Sequence, residues 1–166
     1  MADINKLAPK IAKWEGGYVN HPLDKGGCTN MGVTIAAYRQ FVNRDGTCED
    51  LRKMTHAEFS KVLRKYWDMW KADEINDQQV AEILVDWVWG SGRYGITIPQ
   101  QLIGVADDGV VGPKTLSKIN SYDPNVLHEA IWNRRKLYLE RLVANNPSQK
   151  VFLKGWMNRL NDFKRK

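Results

Sequence analysis

The stretch Lys10–Thr34, KIAKWEGGYVNHPLDKGGCTNMGVT, runs from a helical pattern into a glycine-rich bend. Just upstream, Ile4, Leu7, Ile11 and Trp14 recur at offsets of three, four and three, the spacing of one helix face. Glu15 follows Ile11 by four residues and falls on that same apolar stripe. Gly16 and Gly17 end the helix, because glycine enters the left-handed conformation of a C-cap without steric cost. A carboxyl group placed there is discouraged from ionising by burial and by the negative end of the helix dipole. A carboxyl that keeps its proton near neutrality is what general acid catalysis needs. Beyond the glycines, Tyr18 to Thr34 predicts a small hairpin turning at DKGG, Asp24–Gly27.

The rest of the chain reads as helices separated by clear punctuation. IAAYRQFVNR predicts a short helix before a turn at DGT. Thr55 with Glu58 forms a capping box, followed by Phe59, Val62, Leu63, Tyr66 and Trp70 as a buried stripe. Asp77 caps a helix on Val80, Ile83, Leu84, Trp87 and Val88, and GSG at Gly90–Gly92 stops it. A short helix is expected around PQQLIG, then a turn at Asp108-Gly109 and a helix opened by Pro113. Asp123-Pro124 starts a long helix with Val126, Leu127, Ala130, Ile131, Leu137, Tyr138 and Leu142 facing inward. Asn146-Pro147 breaks it, and a last helix carries Phe152, Trp156 and Leu160. The expected fold is mainly α (α+β), a helical domain with one small hairpin followed by a helical C-terminal subdomain.

Composition bounds the function. At 166 residues and 43% hydrophobic the chain builds a real core. Its net charge of +6 favours polyanionic partners: nucleic acid, anionic lipid or the acidic bacterial wall. Arg134, Arg135, Lys136 and the terminal KRK are the only clusters, and the basic residues read as solvated helix faces. No apolar run approaches the length of a membrane span. Cys28 and Cys48 could pair, remain two buried thiols, or join His21 and His56 at a metal; the spacing lacks CxxC, and the preferred reading is two unpaired thiols. DDGVVGP lacks EF-hand spacing, since the twelfth position from Asp107 is Lys118, and no GxxxxGK phosphate loop occurs. No metal or cofactor is expected.

A carboxyl group at a helix end beside a hairpin suggests glycoside hydrolysis, which needs an acid for the leaving oxygen and a second group at the anomeric carbon. Asp24, nine residues after Glu15 across the bend, is the candidate second group, and Thr29 or Thr34 is placed to hold water.

WEGGYVNHPLDKGGCTNMGVT closely resembles the signature of the glycoside hydrolase family 108 muramidases, E-G-G-Y-x-N-x-x-x-D-x-G-G-x-T-x-x-G-[IV]-T. The matching positions are Glu15, Gly16, Gly17, Tyr18, Asn20, Asp24, Gly26, Gly27, Thr29, Gly32, Val33 and Thr34. The residue after Asn20, commonly Asp in such proteins, is His21 here. RKYWDMWKADEI and QVAEILVDWVWGSG look like the family's next two helices, and QQLIGVADDGVVGPKTLSKI like its peptidoglycan-binding region. The resemblance implies a lysozyme-like fold, with residues 1–93 catalytic and 94–166 binding peptidoglycan. It implies cleavage of the β-1,4 bond between N-acetylmuramic acid and N-acetylglucosamine, with Glu15 as proton donor. Asp24 and Thr29 assist it by analogy with phage-type lysozymes. Tyr18, Asn20, Thr34 and Trp89 are the expected sugar contacts, Trp89 because Trp87 takes the buried face.

The expected partner is peptidoglycan, with no nucleic acid, and the chain is expected to act as a monomer. MADINKLAPK lacks the pattern of a secretory signal, so synthesis is expected in the cytoplasm and action at the wall after release by a partner such as a holin. The competing readings are a non-catalytic peptidoglycan-binding module and a basic nucleic-acid-binding protein. The second lacks a concentrated Lys/Arg face interleaved with aromatics.

Overall fold

The computed structural model describes residues 1–20 and 27–166. The chain forms two compact units: Ile4–Asp68, and Met69–Lys166 together with Met1–Asp3. The mainly helical expectation holds, and among the described residues no helix is long and apolar enough to cross a membrane.

The first unit opens with α1, Ile4–Trp14, whose Leu7 and Ile11 are buried as the stripe predicts. Two-residue strands follow, β1 at Thr29–Asn30 and β2 at Val33–Thr34, antiparallel with Thr29 opposite Thr34 and Asn30 opposite Val33. Their turn is Met31-Gly32, with both residues at positive φ, 50° and 78°. That pair of left-handed residues matches the right-handed twist of a tight hairpin. The turn expected at Asp24–Gly27 falls, except for Gly27, outside the described residues. Then come α2 (Ile35–Phe41), capped by Thr34, α3 (Cys48–Arg52), capped by Thr47, and α4 (His56–Met69). The Thr55–Glu58 capping box at the start of α4 is formed, with Thr55 N–H donating to Glu58 Oε1 at 3.0 Å and Glu58 N–H to Thr55 Oγ1 at 3.2 Å.

Cys28 and Cys48 form a disulfide, which corrects the expectation of two unpaired thiols. Neither cysteine signals the other along the sequence, but β1 packs on α3 and brings the two together. Asn30 strengthens the same contact: its buried amide donates to Leu51 O at 2.9 Å and Arg52 O at 3.3 Å, satisfying carbonyls at the end of α3.

The second unit is organised around α5, Gln78–Ser91. Every residue from Val80 to Val88 is buried, including Glu82 and Asp86, as expected of a helix enclosed on all sides. It packs against α6 (Tyr94–Ile103) and α8 (Pro124–Asn145); α6 also meets α7 (Pro113–Ser121), and α8 meets α9 (Lys150–Asp162). The approach of α6 to α5 is close enough that a side chain at Gly95 would collide with the backbone of Trp87 and Val88. Trp70 and Trp87 are fully buried, as read from their stripes.

Two expectations for this unit need correction. The helix expected around PQQLIG begins earlier, at Tyr94, directly after the Gly92 C-cap. The buried face of α8 is Leu127, His128, Ile131, Arg135 and Leu139, whereas Val126, Leu137 and Leu142 are exposed. Two polar residues sit on that face, so the apolar periodicity that marks a buried stripe is broken. Arg135 is therefore not on a solvated face. On α9 Leu160 is buried, but Phe152 is exposed and stacks on Trp156.

Candidate active site

Glu15 follows the last turn of α1 and continues it, its N–H donating to Ile11 O at 3.0 Å. Its side chain is half-buried. The hairpin lies directly against it. Met31 N–H donates to Gly16 O at 3.1 Å, which ties the turn to the glycines after the helix. Gly32 then passes so close that a Cβ there would overlap the Glu15 carboxyl group. Glycine at 32 is thus required twice, by its positive φ and by the space it leaves the acid.

A second pairing holds the segment between the glycines and β1. Val19 and Thr29 exchange N–H···O bonds of 2.9 Å and 2.8 Å. Ile35 N–H donates to Cys28 O at 3.0 Å, so the hairpin is fastened at both its strands. Through Cys28 and Asn30 it is anchored to α3 as well. The strand beside Glu15 therefore has a covalent tie and a buried hydrogen-bonded one.

Of the expected site residues, Thr29 lies in β1, half-buried, opposite the exposed Thr34 of β2. Thr34 Oγ1 accepts the Ala37 N–H at 3.1 Å, so its oxygen serves the N-terminus of α2. Tyr18 is half-buried. Asn20 is exposed. Asp24, with His21, lies outside the described residues. Trp89 is on α5, half-buried where Trp87 is fully buried. The sequence reading assigned no role to Asn30, and none to Gly32 beyond its place in the motif. The motif marked Gly32 alone, and Asn30 falls on one of its unspecified positions; both act on groups distant in the chain.

The hairpin thus sets a half-buried carboxyl at a helix end beneath a glycine that leaves it room. The glycosyl hydrolase 108 family model matches residues 8–92, which include all of this arrangement. The chain belongs to glycoside hydrolase family 108. A second family model, described as a predicted peptidoglycan domain, matches residues 94–161. The structure of Brucella abortus SagA is similar, with a TM-score of 0.82 and 28% identity over 96% of this chain and 90% of that one. Among curated proteins no sequence matches. This family 108 member is a glycoside hydrolase of the lysozyme type acting on peptidoglycan.

Proposed function

We propose that the protein cleaves the β-1,4 bond after N-acetylmuramic acid with Glu15 as the general acid. The observation that carries this is the Glu15 carboxyl, half-buried at the end of α1 and covered by Gly32. A carboxylic acid there protonates the glycosidic oxygen as the bond lengthens, while positive charge grows at the anomeric carbon. Asp24 is assigned to stabilising that charge or activating water, on the strength of its motif position alone. Thr29 is assigned to orienting the water, supported by its place one residue from the Asn30 anchor and opposite Thr34.

Tyr18, Asn20 and Thr34 are read as sugar contacts on the same hairpin segment. Trp89 is read as a stacking face, supported by its partial exposure. Residues 1–93 carry bond cleavage in this reading, and residues 94–166 hold the wall. The net charge of +6 adds a salt-sensitive attraction to an anionic wall.

The test is digestion of purified peptidoglycan by the wild type and Glu15→Gln, with mass analysis of new reducing ends. Glutamine retains size and hydrogen bonding but has no carboxylic proton. Reducing N-acetylmuramic acid ends from the wild type alone are the expected result. Equal cutting by the variant would remove Glu15 from the mechanism. Wall binding without cutting by either protein would make the chain a binding module.

A further inference from the structure

Trp132 of α8 has no part in the proposed cleavage, yet it stands half-buried in the wall of a cavity of about 540 Å³. That volume is in the range of small-molecule sites, about 300–1,000 Å³. Asn125, Glu129 and Asn133 line the same cavity at successive offsets of four, one above the other on a face of α8. Lys164 and Arg165, beyond the end of α9, line it from the other side.

The surrounding bonds decide what each side chain has left to offer. Trp132 Nε1 donates to Leu160 O at 2.9 Å, so the one polar atom of the indole is committed within the protein. A ligand in the cavity meets the ring through its carbons. The Lys164 ammonium rests 4.9 Å from the ring centroid, but Lys164 is exposed and its stem is flexible, so it covers the ring only weakly. Arg165 is fully engaged: Nη1 and Nη2 donate to Asp77 at 2.7 Å and 2.8 Å, and Nε donates to Asn125 Oδ1. That last bond turns the Asn125 oxygen towards Arg165 and leaves the two N–H donors of Nδ2 for another partner. Glu129 adds an acceptor, and Asn133 adds both a donor and an acceptor.

We propose that this cavity binds an amino-sugar unit of the peptidoglycan glycan strand, at a site separate from bond cleavage. A pyranose has an apolar face of C–H bonds and a rim of hydroxyl and acetamido groups that donate and accept. Trp132 matches the face, and Asn125, Glu129 and Asn133 match the rim. A polyanion is a poor fit, because the Glu129 carboxylate repels it and the guanidinium on the wall is already held by Asp77. The four α8 side chains fall within the region matched by the peptidoglycan domain, residues 94–161. The identity of the strand rests on the wall-hydrolase reading; the preference for a sugar rests on Trp132 and the side chains around it.

The experiment uses the full chain carrying Glu15→Gln, titrated with chitotetraose, the uncharged tetramer of N-acetylglucosamine. Binding is followed at the Trp132 indole N–H and the Asn133 side-chain amide, each resonance assigned by its loss on substitution. Both are expected to shift together and saturate. Trp132→Ala is expected to weaken binding about ten-fold, read at Asn133. Asn133→Ala, at an exposed position, is expected to weaken it about five-fold, read at Trp132, while the melting temperature holds. Lys164→Ala uncovers the ring and is expected to bind the sugar at least as tightly as its parent. No saturable shift at either resonance, a loss in Lys164→Ala as large as in Trp132→Ala, or tighter binding of a single-stranded oligonucleotide than of the sugar would overturn the proposal. Sugar binding that fails here leaves the Glu15 assignment standing. A Glu15→Gln protein that still cuts the wall overturns that assignment and leaves this site in place.

Discussion

A methyl group on Gly32 would occupy the space of the Glu15 carboxyl, so the hairpin tip and the candidate acid have room for each other only because position 32 has no side chain. Gly32→Ala is expected to move the carboxyl and strain a backbone at φ 78°. The strain costs about 1–2 kcal/mol, and a displacement on the order of 1 Å lowers turnover about 100-fold. Gly16→Ala is the control, since a Cβ there meets nothing within 4 Å. Wall-clearing rates and thermal melts of both variants provide the check. Equal activity in the two would disconnect Gly32 from the acid.

The Cys28–Cys48 disulfide closes a loop with a sequence separation of 20. Restricting the unfolded chain over such a loop contributes about 3 kcal/mol. Thermal unfolding with and without reductant should show a loss of that order, and a Cys28→Ser/Cys48→Ser protein should melt like the reduced wild type. An unchanged melting temperature would mean that Asn30 and the strand pairing hold β1 to α3 unaided.

Asp77 caps α5 and accepts two hydrogen bonds from Arg165, at 2.7 Å and 2.8 Å. The guanidinium, with the Val80 N–H, holds its carboxyl below the usual carboxylate range despite partial burial. A lowered native pKa means the unfolded state takes up the proton first. The stabilisation is therefore complete above the unfolded value, near 4, and is lost as pH falls through the native one. Asp77→Asn keeps an N-cap but not the ion pair, and is expected to cost about 1 kcal/mol at pH 7. Denaturant titrations of both proteins should begin to converge as pH falls below about 4 and meet below the native value. A constant gap across the acid range would assign the effect to packing.

Asp86 accepts hydrogen bonds from both Arg135 and Arg159. Asp86→Asn removes the carboxylate that both guanidiniums share, and a broken buried pair costs about 3–5 kcal/mol. Urea unfolding should show that loss. A loss below about 1 kcal/mol would mean that water reaches the pair, as at an exposed ion pair.

Signals that act within one turn of chain were legible in the sequence. Thr55 with Glu58, Asp77, Pro113 and Asp123-Pro124 each mark a helix start within four residues, and each does so in the structure. Glu15 was legible for the same reason, as a polar residue on the face of Leu7 and Ile11. Arg135 was not, because the carboxylate that brings it inside is 49 residues away and its neighbours Arg134 and Lys136 suggest a solvated run. Cys28 and Cys48 were ambiguous until β1 was seen on α3. Gly32 stood in the motif without a stated role, and its task emerged only once the turn lay against the end of α1.

The placement of α5 bears on how such a protein can be taken apart. By sequence it belongs to the stretch matched by the hydrolase family, which ends at residue 92. By packing it is the centre on which α6 and α8 are assembled. A gene cut between the two matched regions would strip the C-terminal piece of the helix that fills its interior, and leave that helix on the other piece with its apolar sides bare. Exchanging the wall-binding part for another therefore requires carrying Gln78–Ser91 along with it, or finding a new partner for every face of that helix.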